Sequence, residues 1–268
     1  MSINIQNSHQ MPPRPMHVFV YGAPRRWKTT FASTFPNPLF LSAGNEGGDT
    51  TLQFVPNNCR VQRIDSVKDM MDIVPYVKAN WQSLGIKTLV IDSITYYSDI
   101  VIHEILFDGN KRRVAMDPKD WGTLDSHIQK WLLPSLREIP LHVVWIALED
   151  VKVDERGNVR SILPMLYGKS AQKLPGSTDL ILYADQVTVP GPDGRAMTTV
   201  VMRTIPTGVA IAGGRYGSAF QDGVIAPHFD AIAARIGPWI GVPSPQGAVA
   251  PQLQTQGLPP AQPAPVGR

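Results

Sequence analysis

With a single cysteine, Cys59, in 268 residues, the chain can hold neither a disulfide framework nor a cysteine-rich zinc site. That composition fits a reducing compartment, and a cytoplasmic location is the expectation. The six histidines are scattered, and no two of them stand at metal-ligand spacing. No apolar run is long enough to span a bilayer, so no membrane partner is expected. Met1 to Arg14 is polar and contains proline, without the charged start and apolar centre of a secretory signal. An excess of one charge is missing too. Lys and Arg number 25 against 22 Asp and Glu, and a net charge of +3 permits nucleic-acid binding without arguing for it. Local clusters have to carry that case. No internal repeat is visible.

What is present reads as one large α/β domain with tails, since the length suffices to bury a single core and nothing suggests two comparable ones. Apolar strands alternate with segments of helical period, the sign of a mainly parallel sheet flanked by helices. His17 to Tyr21, Pro38 to Ser42, Lys87 to Asp92 and Leu141 to Glu149 read as strands. Ser66 with Asp69 forms a capping-box pattern, opening a helix whose Val67, Met70, Met71, Val74 and Val77 share a face. Trp121, Leu124, Ile128, Trp131 and Leu132 recur at helical spacing and read as packing residues. Beyond Glu149 the pattern changes to C-terminal β-hairpins, one around Glu155 to Asn158 and one around Pro190 to Gly194. The expected boundaries are a disordered arm over 1–15, the domain over 16–240 and a disordered, Pro/Gln-rich tail over 241–268, which contains no acidic residue.

The chemistry concentrates where the first strand ends. Gly22-Ala23-Pro24-Arg25-Arg26-Trp27-Lys28-Thr29-Thr30 follows the phosphate-loop pattern G-x-x-x-x-G-K-[ST] except that Trp27 stands where the second glycine belongs. That glycine normally lets backbone N–H groups close around phosphates, so an indole there must face the nucleotide or be swung aside by a changed backbone. ATP with Mg²⁺ is the expected ligand of residues 22–30. The strand ending in Asp92 supplies the carboxylate that such a site needs to hold Mg²⁺ together with the Thr29 hydroxyl. Glu46, in the turn Gly44 to Gly48, can orient an attacking water or serve as a solvated turn acid.

The order of these elements resembles the RecA-like recombination ATPases, and within them the compact phage ATP-binding proteins assigned to single-strand annealing. The resemblance runs from about Met16 to Gly237. It rests on Tyr21 to Thr30, Pro38 to Leu41 with Glu46-Gly47-Gly48, Val90 to Ser93, Asp120 to Leu124 with Leu141 to Val144, and Arg215-Tyr216-Gly217. This chain departs from it at Trp27, near Arg25, and at Gly213-Gly214, where a Lys-Asp pair would precede Arg215. The resemblance implies a sensor role for Glu149 and a reach by Arg203 and Arg215 toward a neighbouring subunit's phosphates, hence self-assembly as a ring or filament. It also implies single-stranded DNA as a partner, together with a single-stranded-DNA-binding protein; a phage-encoded member would act in the host cytoplasm. DNA contact would fall to Lys111, Arg112 and Arg113 in one segment and Lys152, Arg156 and Arg160 in another. By charge alone these are solvated loops, because neighbouring Asp and Glu residues offset them. Two other readings stay open: a degenerate P-loop protein that binds DNA or acts as a scaffold without hydrolysis, and a small-molecule kinase with Arg112 and Arg113 as a lid.

Overall fold

The computed structural model describes residues 11–44, 48–107, 112–190 and 195–243. Of the expected site residues, Glu46 and Lys111 lie outside this set, as do most of the expected arm and tail. In chain order the elements are β1 (His17–Tyr21), α1 (Lys28–Ser33), β2 (Pro38–Ala43), α2 (Gly48–Leu52), β3 (Arg60–Ile64), α3 (Val67–Asn80), β4 (Thr88–Asp92) and α4 (Ile94–Phe107). There follow α5 (Pro118–Ser126), which passes through a π-helical stretch at His127–Leu132 into α6 (Leu133–Arg137), then β5 (His142–Ala147), β6 (Glu149–Val153) and β7 (Val159–Pro164). The chain closes with α7 (Ser170–Gly176), β8 (Leu180–Pro190), β9 (Ala196–Arg203), β10 (Gly213–Gly214), β11 (Val224–Ile225) and α8 (Phe229–Ile236).

The main sheet runs β11-β9-β8-β1-β5-β4-β2-β3, with β10 also pairing with β8. From β8 to β3 all pairings are parallel, and β9, β10 and β11 are antiparallel additions. β6 and β7 form a separate hairpin. The expected architecture, a mainly parallel sheet flanked by helices with antiparallel strands toward the C-terminus, is the one observed. The central strands are continuous apolar runs because both faces of the sheet are covered. On β1 the side chains of Phe19 and Tyr21 enter the core beneath α3, α4 and α5–α6, whereas Val18 and Val20 enter the core beneath α1 and α8. Trp145 and Ile146 divide in the same way on β5.

Local chemistry explains the helix limits. Ser66 Oγ accepts from Asp69 N at 3.1 Å and Asp69 Oδ2 accepts from Ser66 N at 2.9 Å, closing the expected capping box of α3. Leu124, Ile128, Leu132 and Leu136 are all buried at intervals of four. An α-helix would carry such a series gradually around its axis, and the wider turns of the π-helical stretch hold it against the sheet. Trp131 packs partly buried on that core, while Trp121 stays exposed and faces the Tyr167 ring at 5.9 Å. β3 was not legible as a strand because only Ile64 is buried; Arg60 and Arg63 make it a charged sheet edge. Among the described residues no helix is long and apolar enough to cross a membrane.

Two buried histidines make stability sensitive to acid. Burial lowers the pKa of His17 to about 4, with Asp179 partly opposing and Arg137 and Arg14 assisting, and burial alone lowers that of His142 to about 4. Unfolded, each ring binds its proton near 6.5. Between these values the unfolded chain therefore binds more protons, so stability is full above about pH 6.5 and falls as pH drops toward 4. Each ring can account for up to about 3 kcal/mol of that loss. Thermal midpoints measured from pH 7.5 to 4.5 should fall steeply below 6.5, and His142→Gln should flatten the slope.

Candidate nucleotide site

The loop after β1 has kept the backbone of a phosphate loop. Trp27 has φ 52° and ψ 21°, and Arg25 has φ 63°, both left-handed conformations in which glycine is at ease and other residues are strained. The indole is thus accommodated by strain, and the loop conformation is retained; its side chain lies half exposed at the mouth of the cleft. Phe31 N donates to Trp27 O at 2.7 Å, so Trp27 still caps α1 from the glycine position. Lys28 is buried, and its Nζ donates to Gly22 O at 2.9 Å and Ala23 O at 2.7 Å, curling the loop around the ammonium.

The carboxylate across the sheet is where the sequence places it. β5 lies between β1 and β4, yet Thr29 Oγ1 donates to Asp92 Oδ2 at 2.7 Å across 63 residues of chain. Desolvation pushes the Asp92 pKa up, while the Thr29 hydroxyl and the Lys28 charge pull it down. A partly buried carboxylate on the cleft wall, paired with a hydroxyl, is a donor set suited to Mg²⁺, which takes one or two protein oxygens and fills its remaining positions with phosphate and water. The residues present fit the group. The cleft encloses about 460 Å³ and is lined by Pro24 to Thr30, Thr51, Asp92, Ser93, Ile146 and Leu148.

β8 buttresses this loop, a feature absent from the sequence reading. Arg26, expected at the nucleotide, lines the cleft but turns its guanidinium to Tyr183 OH at 3.1 Å and stands 3.6 Å from Asp185. Asp185 also accepts from Arg203 Nε at 2.6 Å on neighbouring β9. Nothing in the sequence marked Tyr183, Ala184 and Asp185, since they come near residue 22 only through the parallel pairing of β8 with β1.

The remaining expected residues divide between the two rims of the sheet. Glu149 follows Leu148 on the carboxyl rim, beside Tyr21 and Tyr183, and its Oε2 is buried with no hydrogen-bond partner among the described residues. Lys152, Arg156 and Arg160 are exposed on the β6–β7 hairpin that leaves the same rim. Arg112 is exposed, whereas Arg113 is held by Asp117 at 2.9 Å and Asp120 at 2.5 Å and donates to Ile105 O at 3.0 Å. Arg215 stands on the opposite rim, 3.8 Å from Asp179, which precedes β8. A role for Arg215 at P-loop phosphates therefore requires a second subunit.

The family described as AAA domain matches residues 14–216. That span covers most of the chain and contains the loop, Asp92 and β8, and the chain belongs to this family of P-loop nucleotide-binding domains. Nucleotide binding with Mg²⁺ is general to such domains. Among curated proteins none matches the sequence.

The retained left-handed turn predicts how Trp27 tolerates change. Trp27→Gly should leave the thermal midpoint nearly unmoved, because relief of roughly 1 kcal/mol of strain is offset by the similar entropy cost of glycine. Nucleotide should bind at least as tightly as before. Trp27→Val should lower the midpoint by several degrees and weaken binding, since a β-branched residue tolerates this conformation worst. Equal midpoints for the Gly and Val variants would mean that Trp27 does not hold the left-handed turn.

Proposed function

We propose that this chain is a RecA-like ATP-binding protein that binds single-stranded DNA, assembles with itself and promotes annealing or strand pairing in recombination, as in the phage proteins it resembles. One observation carries the reading: β5 lines the nucleotide cleft with Ile146, the next lining residue is Leu148, and the chain then runs directly through Glu149 into the hairpin that carries Lys152, Arg156 and Arg160. Nucleotide and DNA would thereby act on one continuous segment.

In this reading, backbone N–H groups of the loop and the Lys28 ammonium bind the phosphates, and Thr29 and Asp92 hold the cation. Bound Mg²⁺ would neutralise charge on the phosphate oxygens. Glu46 is assigned the orientation of the attacking water. Glu149 is a positioning residue: its unpaired Oε2 takes a partner when nucleotide binds and shifts the base of β6, because a buried acceptor without a partner is costly. Lys152, Arg156 and Arg160 contact the strand's phosphates, and Arg112 is assigned to it with Lys111. Arg113 contributes by fixing the start of α5 through Asp117 and Asp120. A single-stranded-DNA-binding protein is a further expected partner.

The salt dependence of binding to an oligo(dT) strand, with and without Mg-ATP, tests this. Each phosphate contact should add about 0.7 to the log–log slope. Replacing Lys152, Arg156 and Arg160 together by Ala should flatten it by about 2 and remove any stimulation of ATP hydrolysis by DNA. An unchanged slope would exclude the hairpin from the DNA site.

A further inference from the structure

A second cavity, of about 430 Å³, opens on the amino rim of the sheet, away from the P-loop, and its lining includes Arg14, His17, Arg137, Ser177, Asp179 and Arg215. Two guanidinium groups flank one carboxylate, and that of Arg137 belongs to the same cavity lining. Arg14 Nη2 donates to Asp179 Oδ1 at 2.9 Å, Arg215 Nη1 lies 3.8 Å from the same oxygen, and Asp179 Oδ2 already accepts from His17 N at 2.9 Å. Each arginine is also anchored. The Arg14 backbone N–H donates to Trp239 O at 3.2 Å, the Arg137 guanidinium donates to Ser177 O, and Arg215 Nη2 donates to Gly176 O at 3.1 Å. A guanidinium has more N–H donors than one acceptor can use, so these groups retain donors for a ligand in the cavity.

Charge and burial select the ligand. Asp179 offsets one of the three positive charges, which leaves a surplus matching a dianion. His17, more than nine-tenths buried, is among the residues that line the cavity, and its buried Nδ1 has no hydrogen-bond partner among the described residues. In the tautomer protonated there it is a donor, and a buried polar atom of this kind calls for a partner. Guanidinium recognises tetrahedral phosphate by paired N–H bonds, and a phosphomonoester carries close to two charges at neutral pH. We propose that this cavity is a second phosphate site, in which Arg14, Arg137 and Arg215 hold a phosphomonoester or inorganic phosphate dianion within a single subunit. It is independent of the P-loop and lies on the other rim.

Calorimetric titration of the full chain with pyrophosphate in EDTA, beside a separate Mg-ATP titration, tests this. Arg14→Gln and Arg137→Gln should each weaken pyrophosphate binding at least tenfold when combined with Lys28→Ala, which removes the P-loop as a competing site, and as single changes should leave the Mg-ATP titration unchanged, which also shows that the variants are folded. Lys28→Ala should leave the pyrophosphate site in place. Pyrophosphate binding that Lys28→Ala abolishes, or that both arginine variants leave intact, would overturn the proposal. Competition with pyrophosphate by 5′-phosphorylated but not unphosphorylated oligo(dT) identifies a strand end as the source of the phosphate. Competition by neither identifies small phosphates, and equal competition by both would overturn the monoester assignment.

Discussion

Lys28→Ala is expected to abolish measurable nucleotide binding and to loosen the loop even without nucleotide. The ammonium is buried and donates to the carbonyls of Gly22 and Ala23, so its removal deprives two inward-facing acceptors of a donor. Leaving such groups unsatisfied costs about 1–3 kcal/mol each, and some of that is recovered if water enters. The same charge lowers the pKa of Asp92, which desolvation raises, so the variant should also make the carboxylate harder to ionise. Two readouts follow. ATP titration should show at least a hundredfold loss, because positioning and charge stabilisation dominate at phosphate sites. The thermal midpoint should fall by several degrees. Lys28→Arg should restore part of the midpoint and little of the affinity, since a planar fork cannot enter a loop curled around a point charge. Nucleotide affinity close to that of the native chain in Lys28→Ala would remove the P-loop from the site.

The site's near side was legible because its signals are local. A strand, a loop and a helix in direct succession fix Gly22, Lys28 and Thr29 relative to one another, and a strand-terminal Asp92 can meet Thr29 only if β4 lies close to β1. What the sequence could not show was the backbone at Trp27. Propensity alone left open an indole swung aside by a rearranged loop; the structure keeps the loop and accepts the strain, because Phe31 N, Lys28 Nζ and β8 all hold it in place. The far side was invisible for a different reason. β8 was readable as half of a hairpin with β9, and that hairpin exists, but its other edge completes the parallel sheet against β1. Pairing between strands so distant along the chain leaves no periodic trace in either. Arg113 illustrates a third limit: it resembles its neighbour Arg112 in sequence, yet only the folded chain brings Asp120 to within 2.5 Å of it.

Gly22→Ala should be among the most damaging single-methyl changes in this chain. A Cβ at position 22 would lie 2.7 Å from the backbone oxygen of Ala184 and 3.1 Å from its Cβ, and φ there is +155°. Neither neighbour can retreat cheaply, because β8 is bonded to β1 on one side and to β9 on the other. Overpacking of this kind costs about 1–3 kcal/mol, and more when backbone must move. The displacement would fall on the first turn of the phosphate loop, so nucleotide binding should fail together with stability. Ala184→Gly, added as a second change, removes the contact at 3.1 Å but leaves the one at 2.7 Å, and should therefore rescue only part of the midpoint. Gly122→Ala supplies the control: it lies in α5 with nothing within 4 Å of the added methyl, and should stabilise by up to about 1 kcal/mol. A Gly22→Ala protein with the native midpoint and native ATP affinity would show that the loop is not clamped between β1 and β8, and the account of how Trp27 is held in a left-handed turn would fall with it.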